Sequence, residues 1–97
     1  MKGIIWGNTE TIAIDKLDRM VEAYQKLGFS IVKRTRLDCL FDNGDTWRAC
    51  RCSDDNGRGR KCNISYIDEA IPKEKVSSII LPCTIAYPYQ ATHYYYN

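Results

Sequence analysis

Apolar and polar residues follow two different periods along this chain, and the changes of period mark out its elements. Gly3-Ile4-Ile5-Trp6 is a short apolar run that predicts a strand, and Gly7-Asn8-Thr9 breaks it. From Thr9 or Glu10 onward Ala13, Leu17, Met20, Val21, Tyr24 and Leu27 recur at the spacing of one helix face. Asn8 or Thr9 can cap the first turn, Glu10 complements the helix dipole there, and Gly28 supplies a left-handed residue at the far end.

The period then shortens to two. Phe29 to Arg36 alternates, with Phe29, Ile31, Lys33 and Thr35 on one face and Ser30, Val32, Arg34 and Arg36 on the other. Asn43-Gly44 sits between runs from about Leu37 to Asp42 and Asp45 to Cys52, and both residues tolerate the positive φ of a two-residue type I′ hairpin turn. In the second run Trp47 and Ala49 point one way, Arg48, Cys50 and Cys52 the other. Ser53 to Lys61 has no apolar residue and holds Gly57-Arg58-Gly59-Arg60, which predicts an exposed loop.

Cys62 to Asp68 returns as a strand. Pro72 opens a short helix to Leu81 with Val76, Ile79 and Ile80 as its apolar side, and Pro82 ends it. Cys83 to Tyr89 reads as a last strand that Pro88 confines to an edge. The tyrosine-rich tail, Ala91 to Asn97, is expected to pack on its own sheet or on a neighbouring subunit. These elements predict an α+β fold in one domain, residues 1–97: a single antiparallel sheet of four to six strands against one long N-terminal helix, plus a short second helix.

With 97 residues the chain can support one modest core, and 44% hydrophobic with 27% charged residues is the balance of a globular domain. The net charge of +2 decides little, but residues 33–61 concentrate Lys33, Arg34, Arg36, Arg48, Arg51, Arg58, Arg60 and Lys61. That basic stretch suits a phosphate or nucleotide. The longest apolar runs, such as Ile79-Ile80-Leu81, are far too short to span a bilayer and the start lacks a signal-peptide core. We therefore expect a cytoplasmic protein without a membrane partner. Five cysteines cannot all pair within one chain. Cys50-Arg51-Cys52 with Cys39 or Cys62 fits the usual zinc spacing of about two to four intervening residues poorly, so half-buried or buried thiols and no metal are expected.

The chemistry-bearing candidates fall around the loop and hairpin. Gly57-Arg58-Gly59-Arg60 offers two guanidinium forks and close backbone approach to a phosphate, or simply a solvated turn. Phe41, Trp47 or Tyr66 can stack a base, Arg48 can add a further cation, and Asn63 can hydrogen-bond a base or ribose edge or else a neighbouring turn. Asn8, at a strand-to-helix turn, adds N–H groups to which an anion can bind, unless Asn8 and Thr9 merely cap the helix. Asp68-Glu69 has the look of a magnesium-binding pair, but no Gly-x-x-x-x-Gly-Lys-Ser/Thr phosphate loop is present, and Asp68 can instead cap a helix or pair with an arginine. His93 is the only histidine and no Ser or Cys is placed beside it by sequence, so no catalytic residues and no cofactor are expected.

The order of Phe41, Asn43-Gly44, Trp47, Ala49, Arg58-Gly59-Arg60 and Ile67-Asp68-Glu69-Ala70-Ile71-Pro72 resembles the Walker B half of phage terminase large subunits. It covers the middle third and departs where the phosphate loop and nuclease domain would be, so it implies a phage origin rather than a motor. The Ile5-Trp6-Gly7-Asn8-Thr9 start, one long helix and an antiparallel sheet resemble the Thoeris anti-defence sponges. That resemblance implies a non-enzymatic phage protein that sequesters a cyclic ADP-ribose-type or cyclic oligonucleotide immune signal, working as a dimer or higher homo-oligomer in the host cytosol. The alternatives are an inhibitor of a CRISPR or other nucleic-acid-handling complex, with nucleic acid or a defence protein as partner, or a terminase-derived accessory subunit.

Overall fold

The computed structural model describes residues 1–53, 61–85 and 91–97. β1 (Lys2–Gly7) leads into α1 (Glu10–Lys26), followed by β2 (Ile31–Arg34), β3 (Asp38–Phe41), β4 (Thr46–Arg51) and β5 (Ile64–Asp68). A helical rod, here called α2, is built from an α turn at Lys73–Lys75, a π stretch at Val76–Ile80 and an α turn at Leu81–Cys83, and β6 (Thr92–Tyr96) closes the order.

The fold is α+β, as the sequence predicts, but its six-stranded sheet, in the order β2-β3-β4-β1-β5-β6, is mixed rather than purely antiparallel. β1 pairs in parallel with both β4 and β5, and β5 in parallel with β6, while β2-β3-β4 are antiparallel. The reason is topological. Parallel neighbours need long crossover connections, and α1 and α2 lie within two of them. The expected last strand at Cys83 to Tyr89 is not formed in its described part: Cys83 belongs to α2 and Thr84 makes an isolated bridge to Cys62, while 86–89 lie outside the described residues. The tail takes that place as β6, an edge strand.

α1 covers one face. Ala13, Leu17 and Val21 bury against Ile5, Cys39, Phe41, Trp47 and Ala49, a fully buried Leu17 alone contributing about 1.5–3 kcal/mol. Thr9 caps the first turn, its hydroxyl accepting the Ile12 N–H at 3.2 Å. At the other end Phe29 and Gly28 donate to Tyr24 and Gln25 carbonyls, and the Phe29 ring packs on Tyr24, a complete Schellman stop.

α2 covers part of the opposite face, where Val76, Ile79, Ile80 and Cys83 meet Ile4, Trp6, Cys50 and Ile67. Pro82 sits inside this rod rather than ending it. Having no N–H, it cannot complete an α turn, and the preceding bond is already widened, Leu81 donating to Val76.

The hairpin turn also differs from the sequence expectation. Asn43 does not take a positive φ; only Gly44 does, at 89°. Gly44 N–H donates to the Phe41 carbonyl and Phe41 N–H to that of Asp45, closing a loop of Asp42, Asn43 and Gly44 in place of the two-residue type I′ turn. Asp45 then anchors a polar cluster under the α1 face. Tyr24 donates to Asp45 Oδ2 at 2.8 Å and accepts from Trp47 Nε1 at 2.9 Å.

Trp47 lies across Gly3, its register partner on β1. A Cβ at Gly3 would fall 2.4 Å from the indole, whose position the Tyr24 bond fixes. Gly3→Ala is expected to lower stability by about 1–3 kcal/mol in urea denaturation; an unchanged midpoint would show that the ring can move aside.

Burial pushes the Tyr24 phenol up to about 12 from the usual 10.0, with Asp45 raising it further and the Trp47 bond opposing. A raised folded pKa favours the folded state below the unfolded value and loses that advantage as pH climbs through the folded one. Stability should therefore fall between pH 10.0 and about 12. Tyr24→Phe should flatten that fall while costing about 1–3 kcal/mol at neutral pH by orphaning the indole N–H. Tyr96, raised by burial and then by Asp68, keeps part of the slope. Alkaline denaturation of both proteins measures the difference, and equal slopes would contradict it.

Candidate anion-binding hollow

α2 is shorter than the sheet face it covers. What it leaves open, around the N-terminal ends of β1 and β4, is a hollow of about 470 Å³. Its lining alternates out of four strands: Lys2 and Ile4 from β1, Thr46 and Arg48 from β4, Asp38 and Leu40 from β3, and Lys33 with the adjoining Thr35 from the β2 side; Lys61 joins from the segment before β5. Ile4 and Leu40 supply apolar floor. Among the described residues the lining holds four cations, Lys2, Lys33, Arg48 and Lys61, against one carboxylate, Asp38.

Lys33 reaches the hollow because of a β-bulge. Ile31 pairs with Phe41, whose ring is under α1, but the register then shifts so that Lys33 pairs with Leu40. The extra residue flips the strand, moving Lys33 to the face opposite Ile31. The other cations of this stretch are spent elsewhere: Arg34 binds Asp18 of α1 at 2.7 Å and Arg36 binds Glu10.

Arg48 is held by Asp38 in an end-on manner. Its Nη1 donates to both carboxylate oxygens, at 3.0 and 2.8 Å, while Nε is buried with no acceptor among the described residues. Asp38 is itself fixed in the β2–β3 turn, where Thr35 donates its hydroxyl to Oδ2 and accepts the Asp38 N–H. Lys61 Nζ touches the Pro82 carbonyl at 3.4 Å, so the end of α2 forms a neighbouring wall.

The expected site residues are divided between the two faces. Of the residues read from sequence, Arg48 lines the hollow, and Trp47 borders it with its ring turned under α1. Arg58 and Arg60 lie outside the described residues, three positions and one position before Lys61 in the chain. The rings do not join them. Phe41 is 1% exposed and stacked on Tyr24 at 3.9 Å, and Trp47 is 4% exposed, so neither offers a face to a base. Tyr66 is on the α1 side with Tyr94, Tyr96 and Lys16. Asn63 is buried and holds chain to chain, accepting the Lys2 N–H and donating to the Ile85 carbonyl.

The strand-to-helix turn is also occupied. Asp68 Oδ2 accepts the Asn8 N–H at 3.0 Å, and Oδ1 accepts that of Ala70. The protein's own carboxylate thus fills the place expected for an anion, and both oxygens of the suggested magnesium pair's first member are committed. His93 pairs in register with Ser65, but Ser65 is fully buried and bonded to Trp6 and Thr84. Lys2, Lys33 and Lys61 were not singled out from sequence; the basic composition of residues 33–61 was the only signal for two of them.

No protein-family model matches the chain, and no curated protein matches it. The terminase and sponge resemblances rest on the residues quoted for them.

All five cysteines are buried. Burial pushes Cys39 and Cys62 up, against opposing contributions from Arg34 and from Ser65 and Thr84 respectively. Protonated buried thiols react slowly. A thiol reagent should therefore find no fast-reacting cysteine in the native protein and all five only in denaturant; a rapid native phase would reveal an activated thiol.

Proposed function

We propose that this chain is a non-enzymatic binding protein for a small phosphorylated nucleotide, seated in the hollow between β3, β4 and β1. One observation carries the reading: four cationic side chains gather around an open, partly apolar depression on a sheet face that α2 covers only in part. Charge-assisted bonds from Lys2, Lys33, Arg48 and Lys61 suit phosphate oxygens. Ile4 and Leu40 suit the less polar parts of the ligand, in place of the aromatic stacking expected from sequence. Arg58 and Arg60 are proposed to add to the phosphate contacts.

In this reading the biological role is that implied by the sponge resemblance. A phage protein takes a cyclic ADP-ribose-type or cyclic oligonucleotide signal out of circulation in the host cytosol, as a homo-oligomer, and so counters bacterial defence. A protein or nucleic-acid partner remains the second reading, favoured by β2, an edge strand exposed along its whole length with Val32 61% accessible. Among the described residues, no helix is long and apolar enough to cross a membrane.

Thermal unfolding with a panel of cyclic nucleotides tests the proposal. At a concentration about 100 times Kd the true ligand should raise the midpoint by on the order of 10 °C, and it should be recovered intact after denaturation. Lys33→Gln should weaken binding roughly tenfold without lowering the midpoint of the free protein. Recovery of an altered ligand would mean catalysis. No shift with any nucleotide, together with co-purification of a nuclease complex, would establish the second reading.

A further inference from the structure

Asp38 is the only carboxylate lining the hollow, among the described residues, and its position is not that of a neutral bystander. Both its oxygens are drawn onto a single nitrogen of Arg48, leaving the Nε edge of the guanidinium unused. Arginine–carboxylate pairs are frequently bidentate, through two nitrogens side by side, and this one is not. The pairing also joins register partners across β3 and β4, Asp38 opposite Arg48, so the carboxylate cannot drift away from the cation. Thr35 holds it from the other side.

From this geometry we infer that Asp38 is a tethered counter-anion that occupies Arg48 until a polyphosphate displaces it. This inference rests on the proposed role of the hollow. Asp38 keeps the guanidinium oriented in the free protein and subtracts from the affinity for every anion, because a phosphate must take over Nη1 against a competitor already in place. Ligands with several phosphates, reaching Lys2, Lys33 and Lys61 as well, offset that competition; a single small anion does so poorly.

Calorimetric titration with inorganic pyrophosphate at low ionic strength tests the inference, using the wild type, Asp38→Asn, Arg48→Gln and the double variant. Asp38→Asn keeps the shape and the Thr35 contact while removing the charge, and it should bind pyrophosphate roughly tenfold more tightly. Asp38→Ser serves the same purpose if the amide impairs folding. The gain should disappear in the Arg48→Gln background, or binding there should be abolished, either of which places the competition on the guanidinium. Unchanged or weaker binding by Asp38→Asn overturns the inference while leaving the hollow as a site. An equal gain with and without Arg48 also overturns it, since a general field effect would then suffice. If neither the wild type nor any variant binds, the reading of the hollow falls and the inference with it.

Discussion

The parallel pairing of β1 on both of its edges is the constraint on which the rest of this structure depends. A strand so placed has no edge to offer water, and Gly3 to Gly7 are accordingly buried. Its alternate side chains must fill two cores: Ile5 and the space above Gly3 on the α1 side, Ile4 and Trp6 on the α2 side. Hydrogen bonds from outside the sheet ladder reinforce this. Tyr96 donates to the Trp6 carbonyl, Cys52 to that of Gly7, and Trp6 Nε1 to Ser65. Loosening β1 would therefore release both layers at once.

The two layers are unequal, and the hollow follows from that inequality. α1 is a regular helix of 17 residues, capped at both ends. α2 is a short rod distorted by its π stretch and Pro82, and it reaches only the part of its face that runs from Ile4 to Trp6, Cys50 and Ile67. The remaining part is lined by charged residues that tolerate water, with their aliphatic stems available to cover Ile4 and Leu40. Open α/β sheets commonly bind ligands outside the carboxyl ends of parallel strands. Here that position, at the Gly7–Asn8 turn, is filled by Asp68, and the accessible cationic depression is instead near the opposite strand ends.

Much of this fold could be read from the residues, because local physics dominated there. The α1 face, the Gly28 stop and the split of Trp47 and Ala49 from Arg48 and Cys50 follow from period and caps; the aromatic tail, expected on its own sheet or on a neighbouring subunit, pairs with β5 as β6. Sheet topology was less legible, although a strand followed by a helix at both ends of the chain was the signal for parallel pairing. The site was least legible, for two reasons. One bulge after Ile31 inverted the side of Lys33 against simple alternation. The second is that aromatic rings read as ligand platforms were needed for the core: Phe41 and Trp47 fill the space between β-strands and α1, and tertiary burial outranks any stacking role. Arg34 and Arg36 were likewise consumed by Asp18 and Glu10, which charge counting along a sequence cannot anticipate.

The central claim is one of place: a phosphorylated ligand meets this protein on the half of the sheet that α2 leaves uncovered. Backbone amide shifts of ¹⁵N-labelled protein during titration with a cyclic dinucleotide measure that place residue by residue. The account predicts that Gly3, Ile4, Leu40 and Arg48 move together and saturate with one affinity, while Leu17, Val21 and Tyr94 stay fixed. Shifts confined to the aromatic α1 side around Tyr66, Tyr94 and Tyr96, or none at saturating ligand, would contradict it.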